Sequence, residues 1–379
     1  MSTRANRSPS RGSGGAGSGG AGAAIVPLAR ALVLMLALTL AAALGAGCRW
    51  RGGDMPLPAG PLLLGGRVVS ASRLRHGAEV YTHYCRPCHG ASGGGDGAAA
   101  PGMRPPPRDL RRGIYKFAAV AAGQLPNDDD FIRIIRGGLH GTAMLSWDVP
   151  PAELDDLIQY TKAFSPRWQT EKPGEPITPA PDPWRSGDGG GGGDGDGGGG
   201  DGDGGGGALD AQGAIARGRR VYHGLAQCAV ACHPAYAPRA EIYAWTKELT
   251  RMEVREFRAD LYAPVAKDSD FGFKILPPDF TFTPLRSGAG LADIYRSIAA
   301  GIGGTAMPTW KNVLPEADIW ALAHYVSSLA ALRGTTGADD LQRQLIDQPA
   351  WTPPPLDAGA ADGDAGAGGD ASATDEARR

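Results

Sequence analysis

A chain of 379 residues has room for two ordinary domains, but 59 glycines and 31 prolines leave much of it unable to pack into a core. Its 38 basic and 40 acidic side chains give a formal charge of −2, which excludes the strongly basic surface that a nucleic-acid partner needs. Five cysteines are too few for a disulfide scaffold, and four of them fall in two tight clusters that each end in histidine.

In chain order, the first stretch is polar and basic, with Arg4, Arg7, Arg11 and Arg30 ahead of an uncharged apolar run from Ala31 to Leu44. That run has the length of a secretory h-region and falls short of the roughly 20 apolar residues that span a bilayer. Leu44-Gly45-Ala46-Gly47-Cys48 resembles a bacterial lipoprotein signal, so residues 1–47 are expected to be removed and Cys48 to be lipidated as the mature N-terminus. Ordinary cleavage and an uncleaved anchor are the alternatives, and all three place the folded part outside the cytoplasm. Residues 48–66 then form a tether.

Two ordered regions are expected, 67–170 and 209–335. A Gly/Asp-rich linker at 171–208 separates them, and a tail at 336–379 is left without structure. With Pro-rich flanks the linker spans roughly 35 Å by flexible-coil scaling. A calcium-binding Gly-Asp repeat is rejected because it lacks the periodic large apolar residue such repeats need.

The ordered regions repeat one another. Each opens with a helix carrying Gly and then Tyr four places on, Gly77 with Tyr81 and Gly218 with Tyr222, and then reaches its Cys-Cys-His cluster. Pro107-Arg108-Asp109-Leu110 corresponds to Pro277-Pro278-Asp279-Phe280. Asp130-Phe131-Ile132-Arg133 and Asp293-Ile294-Tyr295-Arg296 open helices that close on Gly138 and Gly301. Gly141-Thr142-Ala143-Met144 matches Gly304-Thr305-Ala306-Met307, Trp147 matches Trp310, and a last amphipathic helix carries Tyr160 or Tyr325. No stretch alternates long enough to predict a strand, so the fold class is all-α, two small tandem helical domains.

Cys85-Arg86-Pro87-Cys88-His89 is the c-type haem attachment pattern: two thiols add to the haem vinyl groups and the adjacent histidine ligates iron. Two intervening residues let one helical turn present both sulfurs to the same porphyrin edge. A zinc site would need two further ligands that neither half supplies. Cys228-Ala229-Val230-Ala231-Cys232-His233 has three intervening residues, which a bulged turn accommodates; a haemless second domain is the alternative. For the sixth ligand, a methionine thioether favours ferrous iron and closes the position to peroxide. The duplicated segments nominate Met144 and Met307, the latter followed by Pro308. Met103 and Met252, and the unpaired His76, His83, His140, His223 and His324, are read as packing or surface residues. A carbonyl near Pro107 or Pro277 is a candidate acceptor for the ring N–H of His89 or His233, with loop stiffening as the alternative.

These residues resemble the class I cytochrome c family, and its two-haem members similar to the cytochrome c subunits of respiratory oxidases, over both ordered regions. The resemblance implies three to five helices around each haem, with first and last helices crossing at Gly77 and Tyr160 and at Gly218 and Tyr325. It implies thioether links at Cys85, Cys88, Cys228 and Cys232 and axial pairs His89 with Met144 and His233 with Met307. The second half departs in its attachment spacing and in a longer stretch from Pro234 to Lys274.

The function expected is single-electron transfer by two covalent haem c groups among respiratory partners: an oxidase, a quinol-oxidising complex or a periplasmic dehydrogenase. No small-molecule substrate is expected, and the linker would let one half swing while the lipid holds the other near the membrane. A two-haem peroxidase and a one-haem docking subunit are the rival readings.

Overall fold

The computed structural model describes residues 57–185 and 210–355. The apolar run at 31–44, Cys48 and the Gly/Asp core of the linker lie outside them. Among the described residues no helix is long and apolar enough to cross a membrane.

The first half opens with a small antiparallel hairpin, β1 (Leu62–Leu64) and β2 (Arg67–Val69), joined by Gly65-Gly66. Both glycines have positive φ, +62° and +88°, as a two-residue hairpin turn requires. This corrects the all-α expectation: the fold is mostly helical with one two-stranded sheet. Three-residue strands are too short to show alternation. The hairpin also straddles the expected tether boundary at 67, and its turn is tied down by Gly65 N–H donating to the carbonyl of Trp168, a fully buried side chain.

Helix α1 (Ala71–Tyr84) starts where Ser70 Oγ accepts from the amide of Arg73. It leads into α2 (Arg86–His89), a short 3₁₀ turn at Leu110–Arg112, α3 (Asp128–Gly137), α4 (Pro151–Ala163) and α5 (Arg167–Thr170). Three aspartates occupy the first turn of α3, favourable for its dipole, and Asp128 pairs with the buried Lys162 of α4. Helices α1 and α4 cross at Gly77, where an added Cβ would lie 2.2 Å from the carbonyl oxygen of Asp156 and 2.8 Å from Cβ of Tyr160. The core between them holds Leu74, Tyr81, Leu157 and Ile158.

The second half repeats this plan. Helix α6 (Ala211–Arg220) runs into a wider π-wound turn at Val221–Leu225, followed by α7 (Cys228–Ala231), α8 (Arg239–Thr250), α9 (Leu291–Ala300) and α10 (Glu316–Ala331). Helices α6 and α10 cross at Gly218, whose Cβ would lie 2.0 Å from the carbonyl oxygen of Ala321 and 2.7 Å from Cβ of Tyr325. Helix α8 accounts for part of the long Pro234–Lys274 stretch.

Helix α11 (Thr336–Ile346) corrects the expectation that structure ends at 335. Ala338 and Leu345 are buried, Gln348 bonds the amide of Arg239 and the hydroxyl of Tyr262, and Trp351 packs on Tyr243 and Phe257. The Gly/Ala/Asp composition that suggested a tail begins beyond these anchors.

The halves lie in one compact unit and meet directly. The amide of His140 donates to the carbonyl of Arg286 at 2.9 Å, and that of Gly303 to the carbonyl of Lys116 at 3.1 Å. His140 and Gly303 stand one residue before the matching Gly-Thr-Ala-Met segments, and Lys116 and Arg286 each lie seven residues after the matching aspartates Asp109 and Asp279. The contact is therefore reciprocal, as across a two-fold axis. Residues within the expected linker also bridge the halves: Ile177 N–H donates to Ala119 of the first. Trp184 Nε1 donates to the carbonyl of Ala317, Trp320 Nε1 to that of Ala180, and His324 bonds Asp182, all on the second. In this structure the two halves are docked against each other.

Candidate functional site

Cys85 ends α1, and the chain turns at once into α2, with Pro87 tolerated in the first helical turn where no intrahelical acceptor is needed. The amides of Cys88 and His89 both donate to the carbonyl of Cys85, at 3.2 and 2.9 Å. In the second half Gln227 adopts φ +51°, the amide of Cys232 donates to the carbonyl of Cys228, and His233 N–H reaches the same carbonyl at 3.0 Å. The additional residue is absorbed as one widened turn, and Val230 within it points to solvent, 54% exposed.

None of Cys85, Cys88, Cys228 or Cys232 is in a disulfide. Burial, with a contribution from Cys88, pushes the Cys85 thiol up to about 12, and burial likewise pushes Cys228 up to about 12. Such surroundings oppose a thiolate and suit a neutral thioether. Among the described residues no cluster of three His, Cys, Asp or Glu side chains is arranged to hold a metal ion.

Each histidine is oriented by a carbonyl one residue beyond the nominated prolines. His89 Nδ1 lies 3.1 Å from the carbonyl oxygen of Arg108, and His233 Nδ1 lies 3.2 Å from that of Pro278. A carbonyl can only accept, so Nδ1 carries the proton and Nε2 keeps the lone pair a metal requires. Burial lowers both imidazole pKa values, opposed by these bonds, which keeps the rings neutral and ligand-competent. The tyrosines of the repeated Gly-Tyr spacing fix the residue after each histidine: Tyr81 Oη donates to the carbonyl of Gly90 at 2.8 Å and Tyr222 Oη to that of Pro234 at 2.9 Å. His233 also stacks on Phe280, centroids 5.0 Å apart, where the first half has Leu110.

The methionine loops share their hydrogen bonds, save that the amide of the tryptophan after each meets a carbonyl one position later in the second half. Leu139 N–H donates to the carbonyl of Met144 and Ile302 N–H to that of Met307. Thr142 and Thr305 hydroxyls bond the carbonyls of Leu139 and Ile302 and accept from the amides of Met144 and Met307. Trp147 and Trp310 amides return to the carbonyls of Ile135 and Ala299. Gly138 and Gly301, at φ +66° and +73°, press on the backbone of these loops so closely that no Cβ fits.

In the first half Cys85, Cys88, His89 and Met144 line one cavity of about 230 Å³ with walls mainly of apolar side chains. In the second, Cys228 and Met307 pack at the margin of the main hydrophobic cluster with Tyr222, Phe280, Ile294 and Trp310. The two thiols, the imidazole and the thioether facing the apolar walls of the first cavity would suit a planar apolar group, and the second half repeats the bonds that set its histidine and methionine loop.

The structure leaves His76, His83, His140, His223 and His324 outside the cavity lining. His223 is fully buried, its Nδ1 donating to the carbonyl of Arg219 and its Nε2 accepting from the amide of Tyr236. Met103, read as packing or surface, does line the first-half cavity. So do Arg108, Lys116 and, from the second half, Arg286 and Phe273. Sequence reasoning missed these basic residues because a single Arg or Lys in a loop is ordinarily solvated, and no spacing marks a contact between halves.

The family model described as cytochrome c oxidase, cbb3-type, subunit III matches residues 72–160 and 213–326, together more than half of the chain. Among solved structures, a chain of the reducing HAO-like protein complex of Kuenenia stuttgartiensis is similar, with 27% identity and a TM-score of 0.49, over 67% of this chain and 95% of that one. No curated protein matches. With the two matched segments covering the Cys-Cys-His cluster, the methionine loop and most of the last helix of each half, the chain belongs to the cytochrome c oxidase, cbb3-type, subunit III family of c-type cytochromes.

Proposed function

We propose that this protein carries two covalent haem c groups and passes single electrons between respiratory partners outside the cytoplasm, held at the membrane through lipidated Cys48. Family membership brings covalently bound c-type haem, electron transfer and protein partners in a respiratory redox complex. In the finer reading, Cys85 and Cys88 hold one haem with His89 and Met144 on its iron. Cys228 and Cys232 hold the other, with His233 and Met307.

The observation that carries the reading is the recurrence, at matching positions, of the hydrogen bonds that set each histidine and each methionine loop. When bound, haem supplies one-electron exchange between ferric and ferrous iron. The chain's own residues do the rest. The carbonyls of Arg108 and Pro278 hold the imidazoles in the ligating tautomer. The soft thioethers favour the ferrous state, and the apolar walls limit water. The partners are an oxidase, a quinol-oxidising complex or a periplasmic dehydrogenase.

Intact mass and visible spectra of protein purified from its host test the reading. Two haem masses, low-spin spectra in both oxidation states and a lipid on Cys48 are expected. One haem alone, or a high-spin ferric signal with peroxide turnover, overturns the two-centre carrier in favour of a docking subunit or a peroxidase.

A further inference from the structure

The first-half cavity is apolar except along one wall, where three cations converge without an acid. Arg108 stacks its guanidinium 3.5 Å from the ring centroid of Phe271, and Lys116 Nζ stands 5.2 Å from the same ring. Arg286 reaches the cavity from the second half, its own carbonyl fixed by the amide of His140. Among the described residues none of the three pairs with a carboxylate. Asp130, the carboxylate in the lining, is already engaged by Arg133 and by the amides of Ala119 and Asn127.

Buried charges are ordinarily paired, because desolvation of a lone cation is costly. Burial pushes Lys116 down to about 8, with Arg108 and Arg286 adding to the shift. Three cations lining one cavity with no carboxylate partner call for an anion inside it. Haem has one charged edge, bearing two carboxylates, and is apolar elsewhere, which is the polarity of this cavity.

We propose that Arg286, lent by the second half, joins Arg108 and Lys116 to bind the carboxylates of the first-half haem. The first haem site is then completed only when the halves dock, and the reciprocal bonds between His140 and Arg286 and between Gly303 and Lys116 hold that docking in register. The inference rests on the reading of a haem in the first-half cavity. It goes further in making the second half part of that haem's binding site and a determinant of its potential.

The test uses the full holoprotein carrying Arg286→Gln, with Arg286→Lys and Arg343→Gln beside it. Arg343 is exposed and lies outside the cavity lining, paired with Asp340. Intact mass first confirms that each variant keeps its haems, and Met144→Ala identifies which midpoint potential belongs to the first half. With haem present, Arg286→Gln is expected to move the first-half centre toward ferric by roughly tenfold at fixed potential, the scale of one charge lost a few ångströms away in a partly buried site. It is also expected to shift carboxylate bands in the redox-difference infrared spectrum. Arg286→Lys restores most of the potential, and Arg343→Gln leaves both readouts unchanged. An unchanged first-half potential and infrared spectrum in haem-loaded Arg286→Gln overturns the inference while leaving the haem reading intact. Absence of first-half haem from the wild type overturns that reading instead, and the inference with it.

Discussion

The backbone N–H of His233 donates to the carbonyl of Cys228 across five residues, whereas His89 donates to Cys85 across four, at 3.0 and 2.9 Å. The extra residue of the second motif is therefore spent in the turn before the ring, and both histidines keep the same anchor. The imidazole then meets equivalent carbonyls, Pro278 and Arg108, in the two halves.

That geometry predicts full attachment at the second motif. Cys228→Ala or Cys232→Ala should each leave a haem held by one thioether, seen as a red-shifted pyridine haemochrome band, and the double variant should lose one of two haem masses. Unchanged mass in the double variant would show that the second half never carried haem.

Met144 shares the first-half cavity with Met103, so the ligand assignment there needs a discriminating substitution. Met144→Ala should abolish the methionine-to-iron charge-transfer band of that haem and lower its midpoint by a sizeable part of the roughly 0.8 V range that axial ligation spans. Met103→Ala should leave both in place. The reverse pattern assigns the iron to Met103. Met307→Ala should act on the second haem alone.

Much of this was legible because duplication amplifies weak signals. A lone Gly-Thr-Ala-Met segment says little, but two at matching distances from Cys-Cys-His clusters mark a loop, and the hydrogen bonds of Thr142 and Thr305 show why threonine stands there. The crossings at Gly77 and Gly218 were implied by resemblance to the cytochrome c family. What could not be read was whatever one half has alone or the two make together. The β1–β2 hairpin is too short to show a period, α11 lies beyond the repeat, and the bonds joining Lys116 to Gly303 and Arg286 to His140 are backbone contacts with no side-chain signature. Ala180, Asp182 and Trp184 sat in a Pro-rich stretch read as linker, yet the buried Trp320 donates to the carbonyl of Ala180, the buried His324 bonds Asp182, and Trp184 donates to the carbonyl of Ala317.

The helix crossings yield a stability prediction. Gly218→Ala sets a Cβ 2.0 Å from backbone oxygen, which no rotamer can relieve, so α6 and α10 must separate at a cost of about 1–3 kcal/mol or more. Gly77→Ala should cost a similar amount at α1 and α4. Gly137→Ala, with open space around its Cβ, should be neutral or slightly stabilising. Denaturant midpoints of the three holoproteins check the order; equal midpoints would show that close helix approach is not what the glycines supply.

The acid sensitivity of the second half should trace in part to His223. Burial lowers its pKa to about 3 from an ordinary 6.5, the charge of Arg219 adding and the bond to the Arg219 carbonyl opposing. Its Nε2 accepts from the amide of Tyr236 at 2.9 Å, so protonation would remove that acceptor and set a charge in the core. The folded pKa lies below the unfolded one, so below about 6.5 the unfolded chain binds the extra proton. The stability due to the neutral ring is fully present above that pH and is lost progressively as pH falls toward about 3, amounting to a few kcal/mol over the range. His223→Gln keeps an amide oxygen to accept from Tyr236 and has no proton to gain. Its urea midpoint should fall less steeply than that of the wild type between about pH 7 and about pH 4. Carboxylates common to both proteins also lose their ion pairs over this range, so the difference between the curves isolates the histidine. Parallel curves would mean that the ring titrates normally in the fold and that the Tyr236 bond does not hold it neutral.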